Sequence, residues 1–129
     1  MPLFTVTMKM NRTAKEKDRL SRTIHAASVV AGYPEDDLFQ RFISLDPSDL
    51  RVDPYYPALP KPRSDQMLMI EVLVSSGTDT DRKKGLVAAL VENTWRSRHR
   101  PKRHHGKSIV RADHSAAAGS HHLLLSLDQ

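Results

Sequence analysis

The 129 residues suffice for one domain with a modest core, since 39% of them are hydrophobic. The absence of cysteine excludes disulfides, thiolate metal sites and a thiol nucleophile, and the absence of a long apolar run or a signal-peptide pattern points to a cytoplasmic protein with no membrane partner. The formal charge of +5 is uneven: residues 1–95 hold 13 basic and 13 acidic side chains, so the excess belongs to residues 96–129 and says nothing about partners of the body.

Residues 3–8 alternate apolar and hydroxyl side chains, as a half-buried strand does. Thr13-Ala14-Lys15-Glu16 is a capping box, in which the threonine hydroxyl takes a free helix amide and the glutamate reaches back. The helix it opens runs to about Ala31, with Leu20, Ile24, Ala27 and Ala31 as its apolar stripe, and Gly32-Tyr33-Pro34 ends it. Residues 37–45 read as a second strand. A connection rich in proline and aspartate follows over residues 46–65 and is too long to be idle. Residues 67–74 form an apolar strand, Ser75-Ser76-Gly77 turns it, and Thr78-Asp79-Thr80-Asp81 opens a second helix with acids in its first turn, where they suit the dipole. The two strand–turn–helix units stand about 65 residues apart and form an internal repeat. The first closes as strand–helix–strand, the crossover that parallel strands require. The second should close likewise, yet the residues after Trp95 do not look like a strand.

Pro2 is the residue with the most chemistry in it. Removal of Met1 would leave a free proline at the head of the first strand. Its secondary amine is conformationally locked, and an α-amino group titrates near 8, lower still where burial penalises the cation. Such a group can act as a general base. His25 on the first helix is read as a packing or surface residue, and Met67 and Met69 as core or sheet residues. Tyr55 and Tyr56 either line a pocket and donate hydrogen bonds to an enolate oxygen or pack the connection against the sheet. No glycine-rich phosphate loop and no Ser-His-Asp arrangement is visible.

Met1-Pro2-Leu3, the stretch Tyr33-Pro34-Glu35-Asp36-Asp37-Leu38-Phe39-Gln40, Asp53-Pro54-Tyr55-Tyr56 and Arg63-Ser64-Asp65, in this order and spacing, resemble the tautomerase superfamily over residues 1–95. The nearest likeness is to its single-chain branch containing malonate semialdehyde decarboxylase. The resemblance implies an α+β fold of two βαβ units related by pseudo-twofold symmetry. Their four-stranded sheet would carry two helices on one face, in a homotrimer with active sites at or near subunit contacts. It also implies a cofactor-independent tautomerase acting on a small 2-oxo acid, with Pro2 moving the proton, Asp37 assisting it, and Arg12, Tyr55 and Arg63 as substrate-binding candidates. No metal is expected. The same scaffold also supports decarboxylation or hydration of a three-carbon oxo acid by a protonated proline. One departure argues against that: the decarboxylase carries substrate-gripping arginines in the turn after the third strand, and Ser75-Ser76-Gly77-Thr78 has none. Arg12, Arg41, Arg51 and Arg63 are the cations that would have to replace them, Arg12 foremost because it follows the first strand directly.

The second departure is the tail. Where the family has a turn and a hydrophobic strand, this chain reads His99-Arg100-Pro101-Lys102-Arg103-His104-His105-Gly106-Lys107. Codons compatible with that stretch, read one base downstream, spell Thr-Gly-Pro-Asn-Asp-Ile-Met-Val-Asn, which resembles the missing segment. The expectation is a slip of reading frame near Trp95, which sequencing of the coding DNA decides. As written, residues 96–129 read as a disordered basic tail, with residues 120–127 open to either a strand or a helix. A tautomerase fold without catalysis, binding polyanions such as nucleic acid weakly through this tail, is the alternative from another class. No aromatic side chain follows Trp95, so base stacking has no platform there. His104, His105, His121 and His122 form a weak metal-like pattern.

Overall fold

A computed structural model describes residues 2–10, 12–56, 58–98, 115–117 and 120–127. The elements are β1 (Leu3–Lys9), α1 (Ala14–Val30), β2 (Gln40–Leu45), β3 (Leu68–Ser75), α2 (Thr80–Arg98), β4 (Ser115–Ala117) and β5 (Ser120–Leu127). Together they make an α+β fold with two helices and a mixed sheet of strand order β2-β1-β3-β5-β4.

β1 and β2 are parallel, with α1 as the crossover between them, and β1 and β3 are antiparallel. One face of the sheet builds the core. Phe4, Val6 and Met8 of β1 and Leu68, Ile70, Val72 and Val74 of β3 pack with Leu20, Ile24 and Ala27 of α1 and Leu86, Ala89 and Leu90 of α2. The period of two in the strands and of three to four in the helices turns these residues inward together. The opposite face leaves Leu3, Ile43, Leu45, Met69 and Leu73 half-buried.

The capping box is present: the Glu16 amide donates to Thr13 Oγ1 at 3.2 Å and the Thr13 amide to Glu16 Oε2 at 3.0 Å. Replacing Thr13 with alanine should lower stability by about 1 kcal/mol, read as a lower urea midpoint at unchanged slope. At its far end α1 closes through two backbone bonds, Tyr33 N–H to the Ser28 carbonyl and Gly32 N–H to the Val29 carbonyl. That pattern needs a left-handed residue between them, and Gly32 supplies it at φ 100°. Gly32→Ala should therefore cost about 1–2 kcal/mol, visible as a lower melting temperature.

Three expectations are corrected. β2 begins at Gln40 rather than at residue 37, because the Asp37 amide bonds the Pro34 carbonyl at 3.2 Å and the intervening residues turn instead of pairing. The sheet has five strands, not four, since β4 and β5 belong to the segment read as disordered. The alternative left open for residues 120–127 resolves as a strand. Leu123, Leu125 and Leu127 stand in register opposite Val72, Ile70 and Leu68, so β5 covers an edge of β3 that would otherwise offer unpaired amides and carbonyls. β5 also runs antiparallel to β3, whereas β2 runs parallel to β1, so these strands do not repeat the first unit's βαβ closure. The stretch 99–107, with the expected frame slip and with His104 and His105, lies outside the described residues. His121 and His122 fall opposite Val74 and Leu73 in register.

Candidate active site

One end of the sheet gathers the groups with chemistry. Pro2 is buried immediately before β1. The Phe4 amide donates to the Phe39 carbonyl at 3.0 Å, so the segment entering β2 runs beside the head of β1. β3 is antiparallel and pairs Leu73 with Leu3, so its carboxyl end arrives at the same place. There the Thr78 amide returns to the Ser75 carbonyl at 3.2 Å, with Gly77 at φ 90° taking the left-handed position. Asp79 then caps α2, its carboxylate accepting the Arg82 amide at 2.7 Å. α1 ends on this side too, and delivers Tyr33 and the turn to Asp37.

Tyr33 is the hub of the cluster. It is 7% exposed, and the Arg82 guanidinium lies over its ring, 5.3 Å from the centroid. Burial pushes its phenol above the ordinary tyrosine range. Asp37 and Asp79 push the same way, while Arg82 and the Thr78 hydroxyl oppose them. The phenol thus stays neutral through the physiological range. Its oxygen is buried beside Thr78 without a well-formed hydrogen bond among the described residues, while the Thr78 hydroxyl donates to the Ser75 carbonyl at 2.8 Å. Asp37 is half-buried, whereas Arg82 stays exposed above the ring.

Pro2 and Asp37 therefore share one end of the sheet. The substrate-binding candidates do not join them within one chain. Arg12 follows the far end of β1, with seven strand residues between it and Pro2, roughly 23 Å at about 3.3 Å per residue. Its Nη2 donates to the Gln66 carbonyl at 2.6 Å, and burial pulls its pKa down against the opposing charge of Glu16. With the Lys9–Asp65 ion pair at 2.6 Å, Arg12 fastens the long connection where it enters β3. Arg63 is spent inside that connection, its guanidinium donating to the Asp53 and Tyr56 carbonyls. Tyr55 is exposed, and its amide, like that of Tyr56, is held by the Asp53 carboxylate at 2.8 Å. Those two bonds hold Asp53 below the usual carboxylate range. Arg41 reaches Thr5 Oγ1 at 3.0 Å and Arg51 the Ser48 carbonyl at 3.1 Å. His25 faces the Glu35 carbonyl at 2.8 Å, a structural tie to the turn before Asp37.

Arg82, outside the four arginines considered from the sequence, is a cation at the Pro2 end, and Arg41, one of those four, is another, bonded to Thr5 three residues beyond Pro2. The signal for Arg82 was the helix start itself. A side chain three positions after the cap Asp79 folds back over the turn N-terminal to it, and Arg82 Nη2 comes close to Gly32, where a Cβ would meet it in ordinary contact at 3.6 Å.

Comparison with known proteins agrees with this fold. The profile of the family described as "Tautomerase enzyme" matches residues 36–99. A crystal structure of FG41 malonate semialdehyde decarboxylase inhibited by 3-bromopropiolate has the same fold, with a TM-score of 0.61 at 22% identity over 74% of this chain and 72% of that one. A second malonate semialdehyde decarboxylase, studied as wild-type, proline-to-alanine mutant and inactivated forms for its decarboxylase and hydratase activities, gives 0.60 at 19% identity over the same shares. No curated protein sequence matches. A mixed sheet with two helices, strands meeting at a buried proline and a family match spanning β2 to α2 define the class, and the chain belongs to the tautomerase superfamily.

Proposed function

We propose that this chain is a cofactor-independent tautomerase that interconverts the keto and enol forms of a small 2-oxo acid. The observation carrying the proposal is the burial of Pro2 at the sheet end where Tyr33, Asp37 and Arg82 converge. With Met1 removed, the Pro2 amine in its neutral form takes the proton from the carbon beside the carbonyl and then returns it to the other end of the enol. Asp37 assists by orienting the amine and steadying its cationic form once the proton is on it. Arg82 holds the substrate carboxylate, its guanidinium kept in place by the neutral Tyr33 ring and its head open to solvent. The half-buried apolar residues on the open face of the sheet, Leu3, Ile43, Leu45, Met69 and Leu73, support assembly as a homotrimer through that face.

Decarboxylation or hydration of a three-carbon oxo acid is the second reading, and the likeness of the fold to the two decarboxylase structures favours it. The same proline, held protonated beside Asp37, would serve that chemistry. Parallel assays decide: ketonisation of phenylenolpyruvate against loss of carbon dioxide from malonate semialdehyde. Faster turnover of the enol supports the tautomerase. Turnover of the semialdehyde alone transfers the function to the second reading.

A further inference from the structure

Away from the Pro2 end, the helix pair bears a shallow, open groove of about 340 Å³ lined by Arg19, Arg22, Thr23 and Ala26 of α1 and by Asn93 and Arg96 of α2. Positions 19, 22, 23 and 26 form one stripe of α1, and 93 and 96 form one of α2. The small Ala26 and Thr23 leave the space open, and three guanidiniums surround it. Among the described residues, neither Arg19 nor Arg22 has a side-chain hydrogen bond or ion pair, while Arg96 pairs with Glu92 on its own helix, with both groups exposed. Asp18 and Glu92 are the acids nearest in sequence. Arg19 and Arg22 stand three positions apart on one helix face. Glu16 three positions before Arg19, Asp18 four before Arg22 and Glu92 on Arg96 offset part of their charge.

We propose that this groove is an anion site for a short phosphate chain, such as pyrophosphate, tripolyphosphate or the phosphate end of a small organic phosphate. Guanidinium forks match phosphate oxygens two at a time, and three of them around one small groove suit a multiply charged anion better than a single carboxylate. Among the described side chains no aromatic ring lines the groove. Arg98, Arg100, Lys102 and Arg103 follow Arg96 in the sequence. Arg82 is eleven helix positions from Asn93, roughly 16 Å at about 1.5 Å per residue, so this site is separate from the proposed tautomerase site.

Calorimetric titration of the full chain with tripolyphosphate tests it, at two salt concentrations. The expected result is saturable one-to-one binding that loses about tenfold for each of Arg19→Gln, Arg22→Gln and Arg96→Gln, with phenylenolpyruvate ketonisation unchanged. Amide shifts at Ala26 and Asn93 in the unmodified chain report the site without any variant. Binding that survives the groove variants but disappears in R100Q/K102Q/R103Q would overturn the proposal in favour of the tail. Binding of a DNA oligonucleotide that tripolyphosphate cannot displace, or of citrate as tightly as of tripolyphosphate, would overturn the phosphate assignment. Binding with no shift at Ala26 or Asn93 would place the ligand elsewhere.

Discussion

Replacing Pro2 with alanine is expected to slow ketonisation of phenylenolpyruvate by about 10²–10⁴-fold, the usual contribution of a positioned general base. The variant should stay folded with only a modest fall in melting temperature, since Pro2 donates nothing to the strand ladder and the substitution loses only the buried part of its ring. Alanine at this position also ends in a free amine after removal of Met1, so the comparison isolates the locked secondary amine rather than the mere presence of a terminus. A second arm retains Met1: a chain whose initiator is not removed should be as slow as the variant, because the proline nitrogen is then an amide. Mass spectrometry of the purified protein reports which form is present. Equal rates in the parent and the alanine variant, with Met1 absent from both, would remove the proline-base mechanism and leave a tautomerase fold without this chemistry.

The body of the fold was legible because its signals are local. The capping box of α1, the stripe through Leu20, Ile24 and Ala27, and the apolar alternation of β3 depend on neighbours within a few residues, and tertiary packing agrees with all of them. The start of β2 was misplaced because Asp37, Leu38 and Phe39 carry a strand-like pattern. A turn bond from Asp37 to Pro34 delays pairing, which begins with the Phe39 carbonyl accepting the Phe4 amide. β5 was left undecided because Ser120-His121-His122-Leu123-Leu124-Leu125 has neither a clear period of two nor one of 3.6. Its state comes from the free edge of β3, a partner some fifty residues away in sequence. At the candidate site, Pro2 stands out by its own chemistry and Asp37 through a family likeness, and their shared sheet end is a matter of strand direction. Arg12 attracted attention because it follows a strand. Strand polarity puts it at the wrong end, where it bonds the Gln66 carbonyl instead.

Arg82→Ala should separate binding from stability. On the proposed reading, Arg82 contributes one charge-assisted interaction with the substrate carboxylate, so its loss should raise KM by about 10- to 150-fold and change kcat far less. The same cation sits in the first turn of α2, where the helix dipole disfavours positive charge by about 0.3–1 kcal/mol. Its stacking on Tyr33 returns about 0.5–1 kcal/mol, and its backbone amide remains capped by Asp79 whatever side chain follows. The two terms nearly cancel, so the melting temperature of Arg82→Ala should stay close to that of the parent. Arg82→Lys keeps the charge but loses the planar fork and the stack, and should recover only part of the affinity. A purely structural arginine would give the opposite pattern: a lower melting temperature, an unchanged KM and full rescue of stability by lysine. If that pattern appeared while Pro2→Ala still abolished activity, the proline base would stand and the carboxylate would have to be held by another cation. Arg12 of a neighbouring subunit would then be the first to examine, because its distance from Pro2 within one chain places no limit on its reach across a trimer contact.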